Sequence, residues 1–315
     1  MMMHRRQQYL SENRYQNFFN NKEKTTAFFE KNTFQADSED QEKSLRARHF
    51  QKLIFKEILI RYTAGDEINN LIPLMESLIN SYELLQKKLA IQEGIQNITP
   101  LTIDDWLDQY EECVQVFSLC ILLHRSDLLK RFVSLIDHAG YGGDDTLYED
   151  LLCKLLPDRY DVDHWYHDVY TPLVLAIYEE DKHEASILLK KYCESWYPAF
   201  EQAPWHDSHK QGDEGSYCGY WALEAGAVAF LYGIDDRNID HMAYPKELVE
   251  YARNLQVSNK SQVARIDAGQ PCGKAGFWFT PAEADSRRYF NQGEIIPKFE
   301  GYTWGDTIWY WSGEE

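Results

Sequence analysis

A mainly α fold, a bundle of stacked antiparallel helical hairpins with a small β-rich C-terminal module, is what this sequence predicts. Three observations carry that reading. Apolar residues recur at helical spacing in successive runs between Phe50 and Tyr251. Short polar corners carrying Gly, Pro, Ser, Thr or Asp separate the runs. From about Leu255 the pattern changes: a polar linker, Val257–Gln270, gives way to Cys272–Trp311, dense in Gly, Trp, Phe and Tyr. With 315 residues, 44% of them apolar and 14% aromatic, the chain is a folded protein with one large core or two domains. It divides into an N-terminal helical region (1–100), an acidic helical domain (101–254) and the C-terminal module (255–315).

Residues 1–44 are polar, with Phe18, Phe19, Phe28, Phe29 and Phe34 as large apolar anchors beside Tyr9, Leu10 and Tyr15. An irregular or partly helical lead-in, docked by those phenylalanines, is expected. Phe50, Leu53, Ile54 and Ile58 then follow helical spacing. Ile68, Leu71, Ile72, Met75, Leu78, Ile79, Tyr82, Leu85 and Leu89 mark a second helix, with Asp66 as its N-cap and Pro73 kinking or delaying it. Gly65 between the two makes an antiparallel hairpin. Thr102 is expected to cap a third helix through Ile103, Trp106, Leu107, Tyr110, Val114, Phe117 and Ile121. Ser126 restarts the chain as Leu128, Leu129, Phe132, Val133 and Ile136, and Gly140, Gly142 and Gly143 end that segment. A shorter helix over 147–156 stops at Pro157.

Thr171-Pro172 reads as a cap with Pro at the first helical position, and Asp181 with Glu184 as a capping box. Ala222–Tyr232 is apolar nearly all round, which makes it a central buried helix stopped by Gly233. Pro245 opens one further helix to about Asn254. In the module, 277–279, 294–296 and 307–311 read as short strands, with one helical turn over 286–290.

The whole charge excess lies in the middle of the chain. Residues 101–250 hold 30 Asp and Glu against 11 Lys and Arg, and the flanks nearly cancel, giving a net −19. No phosphate-neutralising excess exists anywhere, which argues against nucleic-acid binding, and the sign disfavours an anionic membrane surface. The longest uncharged apolar runs, 113–123 and 225–234, are too short to cross a bilayer. Met1–Leu10 has Arg5 and Arg6 with no apolar stretch behind them, so no secretory signal is expected. Six widely spaced cysteines contain no C-x-x-C pair, and five of them sit among apolar or aromatic neighbours, so buried free thiols are the default reading. A cytoplasmic protein is expected. Its anionic middle, rich in Trp and Tyr, suits a basic protein partner, because carboxylates steer the encounter and aromatics supply contact area.

Clusters with chemistry in them are few. Residues 158–168 hold His164 and His167 with Asp158, Asp161, Asp163 and Asp168. They offer metal ligands, but the histidines sit three apart without H-E-x-x-H logic, and a solvated face accounts for them better. Asp235, Asp236 and Asp240 offer carboxylates for Mg²⁺, against the simpler role of capping a turn. Glu224 is a lone carboxylate in an apolar helix, where an unpaired charge is costly, so it is expected to pair within the core. No nucleophile elbow, P-loop or GxGxxG appears, and Gly140-Tyr141-Gly142-Gly143 runs into Asp144-Asp145, which would repel a phosphate. Neither enzymatic activity nor a cofactor or metal is expected.

The stretch Tyr217-Cys218-Gly219-Tyr220-Trp221-Ala222-Leu223-Glu224-Ala225-Gly226-Ala227, followed by Ile234-Asp235-Asp236, resembles the GYW-x-x-E-A and I-D-D signature of PoNi-type immunity proteins of bacterial polymorphic toxin systems. Trp196-Tyr197 upstream and Tyr244-Pro245-Lys246-Glu247-Leu248-Val249-Glu250-Tyr251-Ala252 downstream are similar to two further segments of that family. Pro271-Cys272, Gly276–Ala282, Ser286–Phe290, Gly293–Pro297 and Trp309-Tyr310-Trp311 are similar to a small module of other predicted immunity proteins. The resemblance implies a non-catalytic, mostly helical inhibitor that binds a cognate antibacterial effector toxin, often a DNase delivered by type VI secretion. A nuclease binds phosphates with basic surfaces, so an acidic inhibitor complements it.

On that basis the expected partner contacts are residues in exposed turns: Asp144, Asp145, Asp161, Asp163, Trp165, Trp205, Asp207, Asp235, Asp236 and Asp240. Trp221 and Glu224 are assigned to the core. Nucleic acid and membrane are not expected partners, and a homodimer is compatible with the sequence. Two alternatives stand beside this reading: a metal-dependent hydrolase using Asp161–Asp168, and a helical scaffold for a partner that is not a toxin.

Overall fold

The structure, a computed structural model, describes residues 4–261, 265–283, 285–298 and 307–312. Its helices are α1 (Glu12–Phe29), α2 (Glu39–Ala64), α3 (Ile72–Glu93), α4 (Leu107–Leu122), α5 (Ser126–Ile136), α6 (Thr146–Leu152), α7 (Thr171–Tyr178), α8 (Lys182–Ala199), α9 (Leu223–Tyr232) and α10 (Lys246–Ser261). The strands are β1 (Arg265–Asp267), β2 (Gly276–Phe279), β3 (Arg288–Phe290) and β4 (Ile308–Trp311). The protein is therefore mainly α with a small β module, as its periodicities predict. Contacts divide it into two compact units, Met1–Ala252 and Arg253–Glu315.

The lead-in is more regular than its composition suggests. Ser11 caps α1, its hydroxyl accepting the Arg14 N–H at 3.0 Å. Arg14 is itself buried and donates to the carbonyls of Tyr9, His209 and Gly212, so α1 is tied down by backbone hydrogen bonds as well as by phenylalanines. The α2–α3 hairpin forms as expected, with Gly65 left-handed at the end of α2. Pro73 delays α3 rather than kinking it: a 3₁₀ turn over Ile68–Leu71 precedes the helix, and Pro73 sits in its first turn. Asp66 does not cap α3; it pairs with Arg61 at 3.2 Å.

Helix α4 begins four residues later than Thr102 predicts. Trp106 occupies the N-cap position with extended backbone and no side-chain cap. From there α4 is buried almost all round, and it packs against α9 to form the centre of the first unit. Gly226 of α9 makes room for the start of α10. A Cβ on Gly226 would meet Pro245 and Val249 at 2.7 and 2.9 Å. Asp181 caps α8 through the N–H groups of His183 and Glu184, the geometry its spacing predicts.

In the second unit the strands are ordered β1-β4-β2-β3, all antiparallel, and one face buries Trp278, Phe290 and Trp309 with Cys272 and Ile296. Two sequence readings are corrected here. Residues 288–290 form a strand where one helical turn was expected, because they pair with Gly276–Trp278. Residues 294–296 contribute a single bridge, Pro271 to Ile295, rather than a strand. The expected linker Val257–Gln270 contains the end of α10 and all of β1, while residues 262–264 lie outside the described residues.

Candidate functional site

The GYW segment is built into the frame of the first unit. Gly219 has φ +122°, and its neighbours are fixed on both sides. The Thr63 hydroxyl of α2 donates to the Cys218 carbonyl at 2.6 Å and accepts the Trp221 indole N–H at 2.8 Å. Gln7 bridges the same segment from the N-terminal arm. Its amide donates to the carbonyls of Tyr220 and Met242, and its carbonyl accepts the Tyr220 N–H and the Tyr217 hydroxyl. These motif residues hold the chain together and are not presented to solvent: Tyr217, Tyr220 and Trp221 are all buried.

Glu224 follows one turn later and is fully buried. Its Oε1 accepts the Tyr192 hydroxyl at 2.6 Å, while Oε2 has no hydrogen-bond partner among the described residues. Burial pushes its carboxyl up to about 7, against the opposing pull of the Tyr192 hydrogen bond. Glu111 on α4 is buried nearby and accepts the Trp205 indole N–H at 2.7 Å and the Gln115 amide at 2.8 Å. Burial raises it well above the carboxylate range, the Trp205 hydrogen bond opposes, and the neighbouring Glu224 raises it further. Trp205 stacks on Trp196 with ring centroids 5.0 Å apart.

Buried acids with raised pKa values beside a cleft are a common mark of catalysis. Glu111 does line a cleft of about 170 Å³, with Lys52, Lys56, Trp196, Trp205 and Trp221 around it. Both Glu111 oxygens, however, are already bonded to side chains of the frame, and so is one oxygen of Glu224. The arrangement is that of a polar core network.

The Asp- and His-rich stretch 158–168 is a strap held to α6. Arg159 reaches Asp137 at 2.6 Å and Glu149 at 2.7 Å. Thr146 donates to the carbonyls of Val162 and His164, and the His167 ring contacts the Ile103 carbonyl at 2.9 Å. Among the described residues no three His, Cys, Asp or Glu side chains converge as metal ligands. Replacing Arg159 with alanine leaves Glu149 buried and without its cation. The variant is expected to lose about 2 kcal/mol in urea unfolding and to speed amide exchange across 158–168. Unchanged exchange there would rule out the strap.

The ten expected contact residues fall in separate places. Asp144, Asp161, Asp163 and Asp240 are exposed as expected. Asp235 is half-exposed and chelated by Arg237; Asp207 is half-exposed between Lys210 and the Tyr197 hydroxyl. Trp165 and Trp205 are half-buried, with their N–H groups on Thr171 and Glu111.

Two positions are corrections. Asp145 is fully buried: it caps α6 through the Tyr148 N–H and also accepts the Tyr110 hydroxyl and the Tyr166 N–H. Asp236 is buried and accepts the Tyr244 hydroxyl. Neither carboxylate is displayed to a partner. What the sequence reading passed over is Trp106 with Asp104 and Asp105, exposed at the start of α4.

A helical body with a polar core network, strapped acidic loops and a separate small sheet defines an all-α-type protein carrying a β module, with its carboxylates largely at the surface. Residues 143–248 match the family model described as PoNe immunity proteins (PoNi), C-terminal, and this match supports a PoNi-type immunity protein. The fold resembles the crystal structure of protein PA2201 from Pseudomonas aeruginosa, with a TM-score of 0.62 and 18% identity over 81% of this chain and 93% of that chain. At that identity the likeness concerns the fold. None of the curated proteins compared matches the chain.

Proposed function

We propose that this protein is a non-catalytic immunity protein, acting in the cytoplasm, that neutralises a cognate antibacterial effector toxin by direct contact, with a nuclease as the target. The observation that carries the proposal is the PoNi match over 143–248, which falls inside the acidic stretch 101–250. A nuclease needs a basic surface to hold phosphates, and an anionic inhibitor gains both fast encounter and selectivity from that sign. No described helix is long and apolar enough to cross a membrane.

Co-expression tests the proposal. A sensitive host producing the toxic C-terminal domain of the effector encoded beside this gene is expected to grow when this protein is present and to die without it. Death despite soluble, folded protein would sink the reading. Growth rescue from a toxin that kills unprotected cells while leaving their nucleic acids intact would retain the immunity role and discard the nuclease target.

A further inference from the structure

One corner of the first unit combines an exposed indole with unneutralised carboxylates. It is assembled from residues 103–106, 141–144 and 163–167. Trp106 is 58% exposed, more than any other tryptophan among the described residues. Tryptophan is among the residues most enriched as interface anchors.

The carboxylates around it are not among those that the arginines of the unit neutralise. Arg159 neutralises Asp137 and Glu149, and Arg125 and Arg131 neutralise Glu76, Glu83 and Asp127. Asp104, Asp105 and Asp144 are exposed and form no ion pair among the described residues. Their field is felt locally. Burial, followed by Asp144, Asp145 and Asp104, pushes the Tyr166 hydroxyl up, and burial followed by Asp104 does the same for Tyr141.

The corner is also held in place before any partner arrives. The Tyr141 hydroxyl donates to Asp104 at 2.8 Å, and the His167 ring is 2.9 Å from the Ile103 carbonyl. The Tyr166 N–H is fixed on the buried Asp145 at 2.8 Å. An anchor on fixed backbone loses little freedom when it binds.

We infer that this corner is the docking surface for the toxin, with Trp106 as apolar anchor and Asp104, Asp105 and Asp144 facing a lysine- or arginine-rich patch. The inference rests on the immunity reading and adds where the partner binds. A second copy of this chain is the less favoured occupant, because a two-fold contact here would set like charges against each other. The assignment also separates frame from recognition. Trp106, Asp104 and Asp105 lie outside residues 143–248, so the residues that choose the partner need not be those that match the family.

The test uses the full-length protein and the catalytically inactivated toxin domain, with association and dissociation rates measured at low and high salt. Trp106→Ala is expected to raise the dissociation rate about tenfold or more. D104N/D105N/D144N together should slow association about tenfold at low salt and little at high salt. A control with three other exposed acids neutralised, E180Q/E201Q/E250Q, should stay within about twofold of wild type. Equal melting temperatures for Trp106→Ala and wild type show that the fold is intact.

Binding by wild type with unchanged rates in both corner variants overturns the docking site and leaves the immunity function standing. Absence of wild-type binding overturns both. A concentration-dependent dimer abolished by Trp106→Ala assigns the corner to self-association and overturns toxin docking.

Discussion

Replacing Gly219 with alanine is expected to cost about 4 kcal/mol or more, enough to leave a large fraction of the protein unfolded at 37 °C. Two penalties combine. At φ +122° an L side chain is strained by at least 1–2 kcal/mol, roughly the cost of a left-handed residue. The new Cβ would also lie less than 3.0 Å from the Thr63 hydroxyl and the Trp221 indole nitrogen, two atoms hydrogen-bonded to each other. Relief requires Trp221 to move, and Trp221 is buried against the Tyr62 ring with centroids 4.7 Å apart. Breaking that buried hydrogen bond and opening that contact adds roughly 1–3 kcal/mol for the stranded donor, with a packing loss on top. Urea unfolding with near-ultraviolet circular dichroism measures the effect. A midpoint shift worth less than about 1 kcal/mol would show that the loop can relax around the methyl group, and the account of Gly219 as a steric requirement would fail.

That prediction also shows how the sequence motif and its physical role differ. The G-Y-W spacing is visible in one chain, but the reason for it is Thr63, more than 150 residues earlier, and no local pattern announces that pairing. Features set by nearby residues were legible. The apolar runs of α4 and α9, the Asp181 cap of α8 and the Gly65 break between α2 and α3 all follow from periodicity and capping chemistry. Features set by distant pairing were not. Residues 288–290 become a strand because β2 lies beside them, and Asp145 is buried while Asp144 is exposed because the helix start at Thr146 fixes which carboxylate turns inward. Trp106 was concealed by its own neighbours: Ile103, Leu107 and Tyr110 share its helical spacing, and the late start of α4 leaves the indole outside the pattern.

Replacing Glu224 with glutamine is expected to remove most of one titration from the stability of the protein and leave its binding role untouched. In an unfolded chain Glu224 titrates near 4.5, and in the folded protein at about 7. Below about pH 4.5 both states carry the proton, and the carboxyl costs the fold nothing beyond its burial. As pH rises toward 7 the unfolded chain ionises while the folded one does not, so stability falls by about 1.4 kcal/mol per pH unit. The loss levels off near 3 kcal/mol once the folded carboxyl also ionises.

Glutamine still accepts the Tyr192 hydroxyl and cannot ionise. E224Q should therefore be close to wild type in urea unfolding at pH 5 and more stable by about 2–3 kcal/mol at pH 8. Glu111 moves in the same direction, and its rise depends partly on the Glu224 charge, so the variant should also flatten some of the Glu111 contribution. Parallel stability curves for the two proteins would mean that Glu224 titrates normally and that water reaches it. The same variant separates frame from catalysis. A host protected by contact alone should survive the toxin equally well with E224Q, whereas a protein that used Glu224 as an acid or base would lose protection while gaining stability. Stability up with protection unchanged is what a carboxyl buried for structure produces.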